Sequence, residues 1–570
     1  MSDPKPKAAG GSITIFSPLY LVLALLMGFT ASAASWFTEH LTMAGMGLDF
    51  ILSALLRFAA AYILLVLFDI LFESVRPYLL SKPADPSKKA RKPSLSAGKT
   101  FAVFFAVSLL VFIPAFLALF PGYTAYDTPM QMEQFFTQGI LNATQPVPLT
   151  LLFAGCLRLG VLLFHSANAG LLLHTILQLL FTATCLSCVG CLFVRWGLKR
   201  RLAIILILLL EALPFVQIFA LTTAKDGFFS PLFALWLALT ADLFLEAGKQ
   251  APDMKRLVCY GLVSLTMILT RPQGKYLFIA AFLLWLLTFL VRFRMGIIQA
   301  AREGLIRFSA LAAGVLLISA LITGTLYRAA GVYPASPGEM LSVPIQQMTR
   351  VVALRESELT ANELAAYDAY FDRSKVATNY IPQISDLMKM SPVFNKAAFS
   401  ENKKDFFLLW LKLFKKYPLE YADAFLYLTD GYFYQGLGYS HAWAGLADEF
   451  VPGPAEYATH AVSLFPAYRG FLLENVGKTF AVKVPVVRRL CTISLPFWVL
   501  AAVGSLVLKK RRQAAAGILM LLILYFGTLL LGPVCTVRYT IPLLYAIPVL
   551  IALLATEREA GKRHMRPDAE

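Results

Sequence analysis

The sequence predicts an all-α polytopic membrane protein with about 12 transmembrane helices and a mainly helical extracytoplasmic domain. Three observations predict it. Of the 570 residues, 58% are hydrophobic and only 15% are charged, against about 45–50% and about 25% in soluble domains. Apolar runs approaching the ~20 residues needed to cross the hydrocarbon core recur along the chain. The net charge of +17 is gathered into short basic clusters between those runs, the pattern of cytoplasmic loops. This composition excludes a soluble fold, a disordered chain and a disulfide scaffold. It also removes the nucleic-acid reading that a charge of this size would otherwise invite.

The elements follow in order. Apolar runs near 14–34 and 48–72 form an N-terminal two-helix addition, residues 1–75. Its start, MSDPKPKAAGGSITIF, is acidic-containing and long ahead of the first run, so that run reads as a retained anchor rather than a cleaved signal. Residues 76–99 form a basic, Pro- and Ser-containing cytoplasmic linker. The core, 100–326, holds runs near 101–120, 168–194, 202–222, 227–245, 257–270, 276–291 and 308–326, with a first outer loop at 121–167. Residues 327–489 have the size of a small extracytoplasmic domain. The C-terminal segment, 490–570, adds three runs near 490–508, 514–532 and 539–555 and a basic tail. The basic clusters at 76–99, 195–201, 249–256, 292–307, 509–512 and 558–566 fall on one side only if the apolar stretch 147–164 does not cross. That stretch therefore reads as a juxtamembrane or partly embedded helix, and both termini are placed in the cytoplasm.

The charges left over are the informative ones. Asp127, Lys225, Asp226, Arg271, Lys275 and Arg538 stand at the outer ends of the runs. Each alone could snorkel or pair locally; six on one side suggest an anionic substrate and proton transfer. Four short words carry them. In Phe120-Pro121-Gly122-Tyr123-Thr124-Ala125-Tyr126-Asp127, continuing to Gln131, Pro and Gly end a span and Asp127 precedes a short helix. Asp127 there suits a general base or a divalent-cation ligand; the bland alternative is a helix N-cap. The others are Thr222-Thr223-Ala224-Lys225-Asp226, Thr270-Arg271-Pro272-Gln273-Gly274-Lys275-Tyr276 and Pro533-Val534-Cys535-Thr536-Val537-Arg538-Tyr539. Their Arg and Lys residues suit phosphate or pyrophosphate.

These words, in this order, resemble the GT-C superfamily of integral-membrane glycosyltransferases, in particular its bacterial polytopic members of unassigned sugar specificity. The resemblance covers roughly residues 100–555 and includes Lys415-Lys416-Tyr417-Pro418-Leu419-Glu420-Tyr421. It implies transfer of a sugar from a polyprenyl-phosphate carrier to a glycan, lipid or protein acceptor on the extracytoplasmic face. It implies Asp127 as general base or acceptor-site ligand. Lys225, Asp226, Arg271, Lys275, Arg538, Tyr539 and Gln131 would form the substrate-binding set, with the cations on the lipid phosphate. Where many members have His-Pro, this chain has Gln145-Pro146. With no Asp-x-Asp or Glu-x-Asp, no metal ligand set is assigned; a divalent cation, magnesium or manganese, is the one cofactor the resemblance leaves room for. The alternatives are a transporter or flippase of lipid-linked sugars and a surface-polysaccharide ligase or polymerase.

Other features carry less. Cys185, Cys188 and Cys191 sit inside an apolar run, where thiols pack as small hydrophobes. His165 and His174 read as packing residues, while His441 and His460 fall in the outer domain. Residues 402–416 read as an amphipathic helix and Gly431–Tyr439 as an aromatic loop suited to stacking sugars or to acting as a lid.

Overall fold

The computed structural model describes residues 16–80, 96–247, 252–294, 301–335, 337–390, 392–434, 446–473 and 492–557. Most of the basic linker, residues 435–439 of the aromatic loop, His441 and the tail cluster at 558–566 lie outside the described residues. The protein is 79% helical, an all-α polytopic membrane protein. Its longer helices are α1 (Pro18–His40), α2 (Leu48–Leu79), α3 (Ala97–Ala118), α4 (Thr128–Gln138), α5 (Val147–Phe164), α6 (Ala167–Arg195), α7 (Arg200–Glu211), α8 (Pro214–Phe219), α9 (Lys225–Glu246), α10 (Met254–Thr270), α11 (Gln273–Arg294) and α12 (Ala301–Ala320). They continue with α13 (Ser342–Arg355), α14 (Ala361–Asp368), α15 (Lys403–Lys416), α16 (Pro418–Thr429), α17 (Leu495–Lys509), α18 (Gln513–Leu529) and α19 (Val537–Thr556). Two short strand pairs join distant segments: β1 (Thr124–Ala125) with β2 (Leu446–Ala447), and β3 (Glu449–Phe450) with β4 (Thr459–His460).

Among the described residues, nine helices are long and apolar enough to cross a membrane. Eight of them fall on expected spans, and the ninth is Val147–Phe164. The expected span at 202–222 is broken instead. Helix α7 ends at Glu211, and Pro214 starts α8 after an extended Leu213, because proline cannot continue a helix and pushes its predecessor out of helical geometry. The expected spans at 257–270, 490–508 and 514–532 appear as the shorter helices α10, α17 and α18.

The bundle has two chemically distinct ends. At one, Arg195 pairs with Asp242 (3.1 Å) and Glu246 (2.6 Å), and Arg256 pairs with Glu246 (2.9 Å). At the same end Lys199 N–H donates to Leu79 O (3.1 Å), and Lys509 and Lys510 reach Asp69 at 2.5 and 3.0 Å. The basic clusters that flank the apolar runs therefore meet there. At the opposite end lie the loop after α3, the start of α9 and the start of α19.

Helix α5 starts just after Gln145, which reaches Lys225 at 2.8 Å at that opposite end. It runs antiparallel along the first part of α6: Gly160 packs on Gly170, and the Phe153 ring lies 4.9 Å from His174. A Cβ on Gly160 would come 2.2 Å from the Gly170 backbone nitrogen, so only glycine allows the helices this close. Ser96 and Ser166 cap α3 and α6 by accepting from the Lys99 and Ala169 N–H groups.

Side chains between Leu341 and Tyr421 form a second core around Ile345, Met348, Tyr367, Phe394, Phe406 and Tyr421. Helix α14 starts with a capping box between Thr360 and Glu363. Helix α15 buries Phe406, Leu409 and Leu413, one face of a helix. Several contacts tie this unit to the bundle, at two places. Ser385 N–H donates to Pro533 O (3.0 Å), close in sequence to Arg538. The turn between α1 and α2 donates to Asp423 from Thr42 Oγ1 (2.7 Å) and Met43 N–H (2.8 Å). The N-terminal pair is thus docked at both ends of the bundle, to this unit at one and to α17 through Asp69 at the other.

Candidate functional site

The loop after α3 is held by main-chain geometry. Tyr123 N–H donates to Leu221 O (3.2 Å), and Thr223 N–H donates back to Tyr123 O (2.9 Å). The Thr128 hydroxyl adds a bond to Thr223 O (3.3 Å). These place the start of α4 beside the start of α9. Tyr126 adopts the left-handed region at φ 54°, a conformation costing a non-glycine residue of order 1 kcal/mol or more and common where side chains are held for function. The next residue is Asp127.

Asp127 occupies the N-cap position of α4, yet its side chain makes no capping hydrogen bond. Its Oδ2 instead accepts from Arg538 Nη1 (3.0 Å) and Lys225 Nζ (3.3 Å). Lys225 also donates to Gln145 Oε1 (2.8 Å). Arg538 donates to Tyr539 Oη (3.1 Å), and its guanidinium lies over the rings of Tyr126 (4.4 Å) and Tyr539 (4.9 Å). Burial would raise the Asp127 pKa, but Lys225 and Arg538 together outweigh it and hold the carboxyl well below the usual carboxylate range. The Asp127 side chain is 27% exposed. Its other oxygen, Oδ1, takes no hydrogen bond among the described residues.

Asp226 and Arg271 meet in a second pair. Arg271 Nη2 donates to Asp226 Oδ1 and Nη1 donates to Tyr525 Oη (3.0 Å). The two side chains are 3% and 0% exposed. The Arg271 guanidinium lies 5.6 Å from the Tyr539 ring, so Tyr539 separates this sealed pair from Arg538. Gly227, next to Asp226, lets α9 approach α8: a Cβ there would lie 2.2 Å from Phe219 O and 2.3 Å from Gln178 Nε2.

Lys225 and Lys275 both line a cavity of about 260 Å³ with Gln145, Thr270, Tyr276 and Thr323. Lys275 is exposed. Gln131 stands apart: its Oε1 accepts from Thr150 Oγ1 of α5 (3.2 Å). So the structure brings Asp127, Lys225 and Arg538 into contact, seals Asp226 and Arg271 behind Tyr539, and sets Lys275 across a cavity from Lys225. Gln145 and Tyr126 join the site without having been predicted as members. The Gln145-Pro146 departure signals the first and the word that ends in Asp127 contains the second; Tyr525, which holds Arg271 from within an apolar helix, carries no such signal. Arg158 lies elsewhere, over Phe135 at 4.9 Å. His460 sits 3.7 Å from Glu449, away from these residues.

The donor set does not suit a divalent cation. Asp127 already carries two cations on one oxygen, Asp226 is tied to Arg271, and cation sites of this kind need several free oxygen ligands. Among the described residues no group of three His, Cys, Asp or Glu side chains comes together.

Residues 136–568 match the model of a family described as a family of unknown function, DUF6020. Lys225, Asp226, Arg271, Lys275, Arg538 and Tyr539 fall inside the matched region, while Asp127 and Gln131 precede it. No curated protein matches the chain.

Proposed function

The chain belongs to this DUF6020 family, and we propose that it is a GT-C-type glycosyltransferase moving a sugar from a polyprenyl-phosphate donor to an acceptor hydroxyl. One observation carries the reading. Asp127 leaves its own helix uncapped and is pinned through Oδ2 by Lys225 and Arg538, residues from two distant helices, with Oδ1 left open. In the proposed step the acceptor oxygen attacks the anomeric carbon. The carbon–oxygen bond to the carrier phosphate breaks and its electron pair stays on the phosphate. The hydroxyl proton passes to Asp127 Oδ1. Lys225 and Arg538 stabilise the charge gathering on the leaving phosphate, while Lys275 binds the carrier phosphate equally before and during transfer. As that phosphate draws the two cations from Asp127, the carboxylate regains proton affinity when it is needed. Asp226, Arg271 and Tyr539 are positioning residues, since the pair is sealed and Tyr539 backs Arg538. No step runs through a metal.

The proposal includes sidedness. Helices α1, α2, α3, α6, the broken α7–α8, α9, α10, α11, α12, α17, α18 and α19 make twelve passes, with α5 juxtamembrane and both termini cytoplasmic. The collection of the basic clusters at the end opposite Asp127 supports this orientation, with the site extracytoplasmic in the cell membrane.

The test uses the full chain in lipid nanodiscs with a panel of polyprenyl-phosphate sugars and cell-envelope acceptors. Transfer is expected for one donor, with a loss of about 10²–10⁴-fold in Asp127→Asn and Asp127→Ala at unchanged yield and helicity. Undiminished transfer in both variants, or movement of the lipid-linked sugar across vesicles without covalent transfer, refutes the assignment.

A further inference from the structure

Away from this site, α2 carries an arginine inside its apolar length. Arg57 lies nine residues into a helix that starts at Leu48, about 14 Å along it at 1.5 Å per residue. Its guanidinium donates to Ala31 O and to Ser35 Oγ (2.9 Å) on α1. Both acceptors are neutral, and Arg57 makes no ion pair among the described residues. A cation within a spanning segment is costly unless a partner or an anion compensates it.

Arg57 also lines a cavity of about 380 Å³ between α1, α2 and α17. The walls include Ala31, Ala61, Leu65 and Phe68, small or apolar side chains that leave a smooth slot. Trp498 of α17 lines it too, and its indole N–H is buried without a partner among the described residues. The polar groups of this slot are therefore donors, one of them charged, set against hydrocarbon-like walls. Arg and Trp are suited to a phosphate at the edge of an apolar site.

We propose that this slot is a binding site for the phosphate-bearing head and upper chain of an anionic lipid. The head is held by Arg57 and Trp498, and the chain lies along the alanine-lined wall. The bound lipid fills the gap between the N-terminal pair and α17, so the addition is sealed to the bundle by a lipid as well as by Asp69. The inference is independent of the transferase reading. A membrane phosphodiester and a polyprenyl monophosphate share the required chemistry, and the experiment separates them.

The full chain, purified in mild detergent, is offered phosphatidylglycerol, a polyprenyl monophosphate or phosphatidylcholine, and bound lipid is counted by native mass spectrometry. One or both anionic lipids should be retained over phosphatidylcholine; the preferred one identifies the source. Arg57→Gln should lower retention by about tenfold or more, as loss of charge-assisted hydrogen bonds requires, while Arg57→Lys stays within about threefold. Ala61→Phe, which fills the slot and leaves the charge, should also lose the lipid. Millimolar inorganic phosphate should not displace it. Equal retention of phosphatidylcholine, full retention in Arg57→Gln, equal losses in Arg57→Lys and Arg57→Gln, or displacement by inorganic phosphate would each overturn the proposal.

Discussion

Arg271 separates a phosphate ligand from a structural pair. Its guanidinium and the Asp226 carboxylate are 3% and 0% exposed, and the other Asp226 oxygen has no partner among the described residues. Arg271→Met removes the counter-charge and also the bond to Tyr525, whose hydroxyl in turn donates to Tyr539 O (3.1 Å). Breaking one side of a buried pair costs about 3–5 kcal/mol, a large share of a total stability of about 5–15 kcal/mol. Replacing both partners by apolar residues of similar volume is close to neutral. Arg271→Met and Asp226→Leu should therefore each lower the thermal midpoint of the detergent-purified protein by several degrees. The double variant should recover most of that loss, with a coupling of about 2 kcal/mol or more. Transfer should follow stability, so the double variant should be more active than either single one. If the double variant loses the sum of the two single losses, with coupling below about 0.5 kcal/mol, the pair is not the unit described here. A single Arg271→Met variant that folds normally and shows only a raised KM would return Arg271 to the phosphate.

The remaining expectations follow from neighbouring geometry. Lys275 is exposed and lines the cavity with Lys225, so Lys275→Ala should raise the donor KM by about tenfold with kcat nearly unchanged, the signature of lost uniform binding. Asp127 is held below the usual carboxylate range by Lys225 and Arg538, so it stays ionised as pH falls towards 4, and the acidic limb of kcat/KM should lie low. Arg538→Gln removes one of those cations, raises the Asp127 pKa and should shift that limb upward in pH; an unmoved limb would contradict the contact. Glu363 is lowered from 4.5 to about 2, chiefly by the Thr360 N–H, with Lys416 and Lys412 contributing. A depressed carboxyl stabilises above its unfolded value, so this contribution is full above about pH 5 and fades as pH drops from 4.5 to about 2. Glu363→Gln keeps a capping-box acceptor but loses the charge on the Thr360 N–H and the two lysines, so it should cost about 1 kcal/mol at pH 7 and show little further loss attributable to this position at pH 3, read by limited proteolysis of the full chain.

How far the sequence reached depended on whether a property is local. Composition alone requires a membrane fold, and the Lys-flanked apolar stretch at 402–416 emerges as α15 (Lys403–Lys416), because amphipathic period is written in neighbouring residues. The charged ends of the runs were equally visible. Partner choice was not. Asp226 and Lys225 are adjacent in sequence, yet one is sealed against Arg271 and the other opens towards Asp127, because successive helical residues point about 100° apart. The N-cap alternative for Asp127 was open from sequence and is decided only by where its side chain turns. The break at Pro214 was legible in principle but was hidden by the apolar average across 202–222. The same averaging hid Arg57 inside the run at 48–72, although a lone arginine among apolar residues is where a membrane chain departs from what its solvent favours. In the proposed orientation the net charge of +17 is mostly a record of sidedness. The charges that can act on a ligand are the minority that sidedness leaves unexplained: Asp127 with its two cations at one end, and Arg57 within the span.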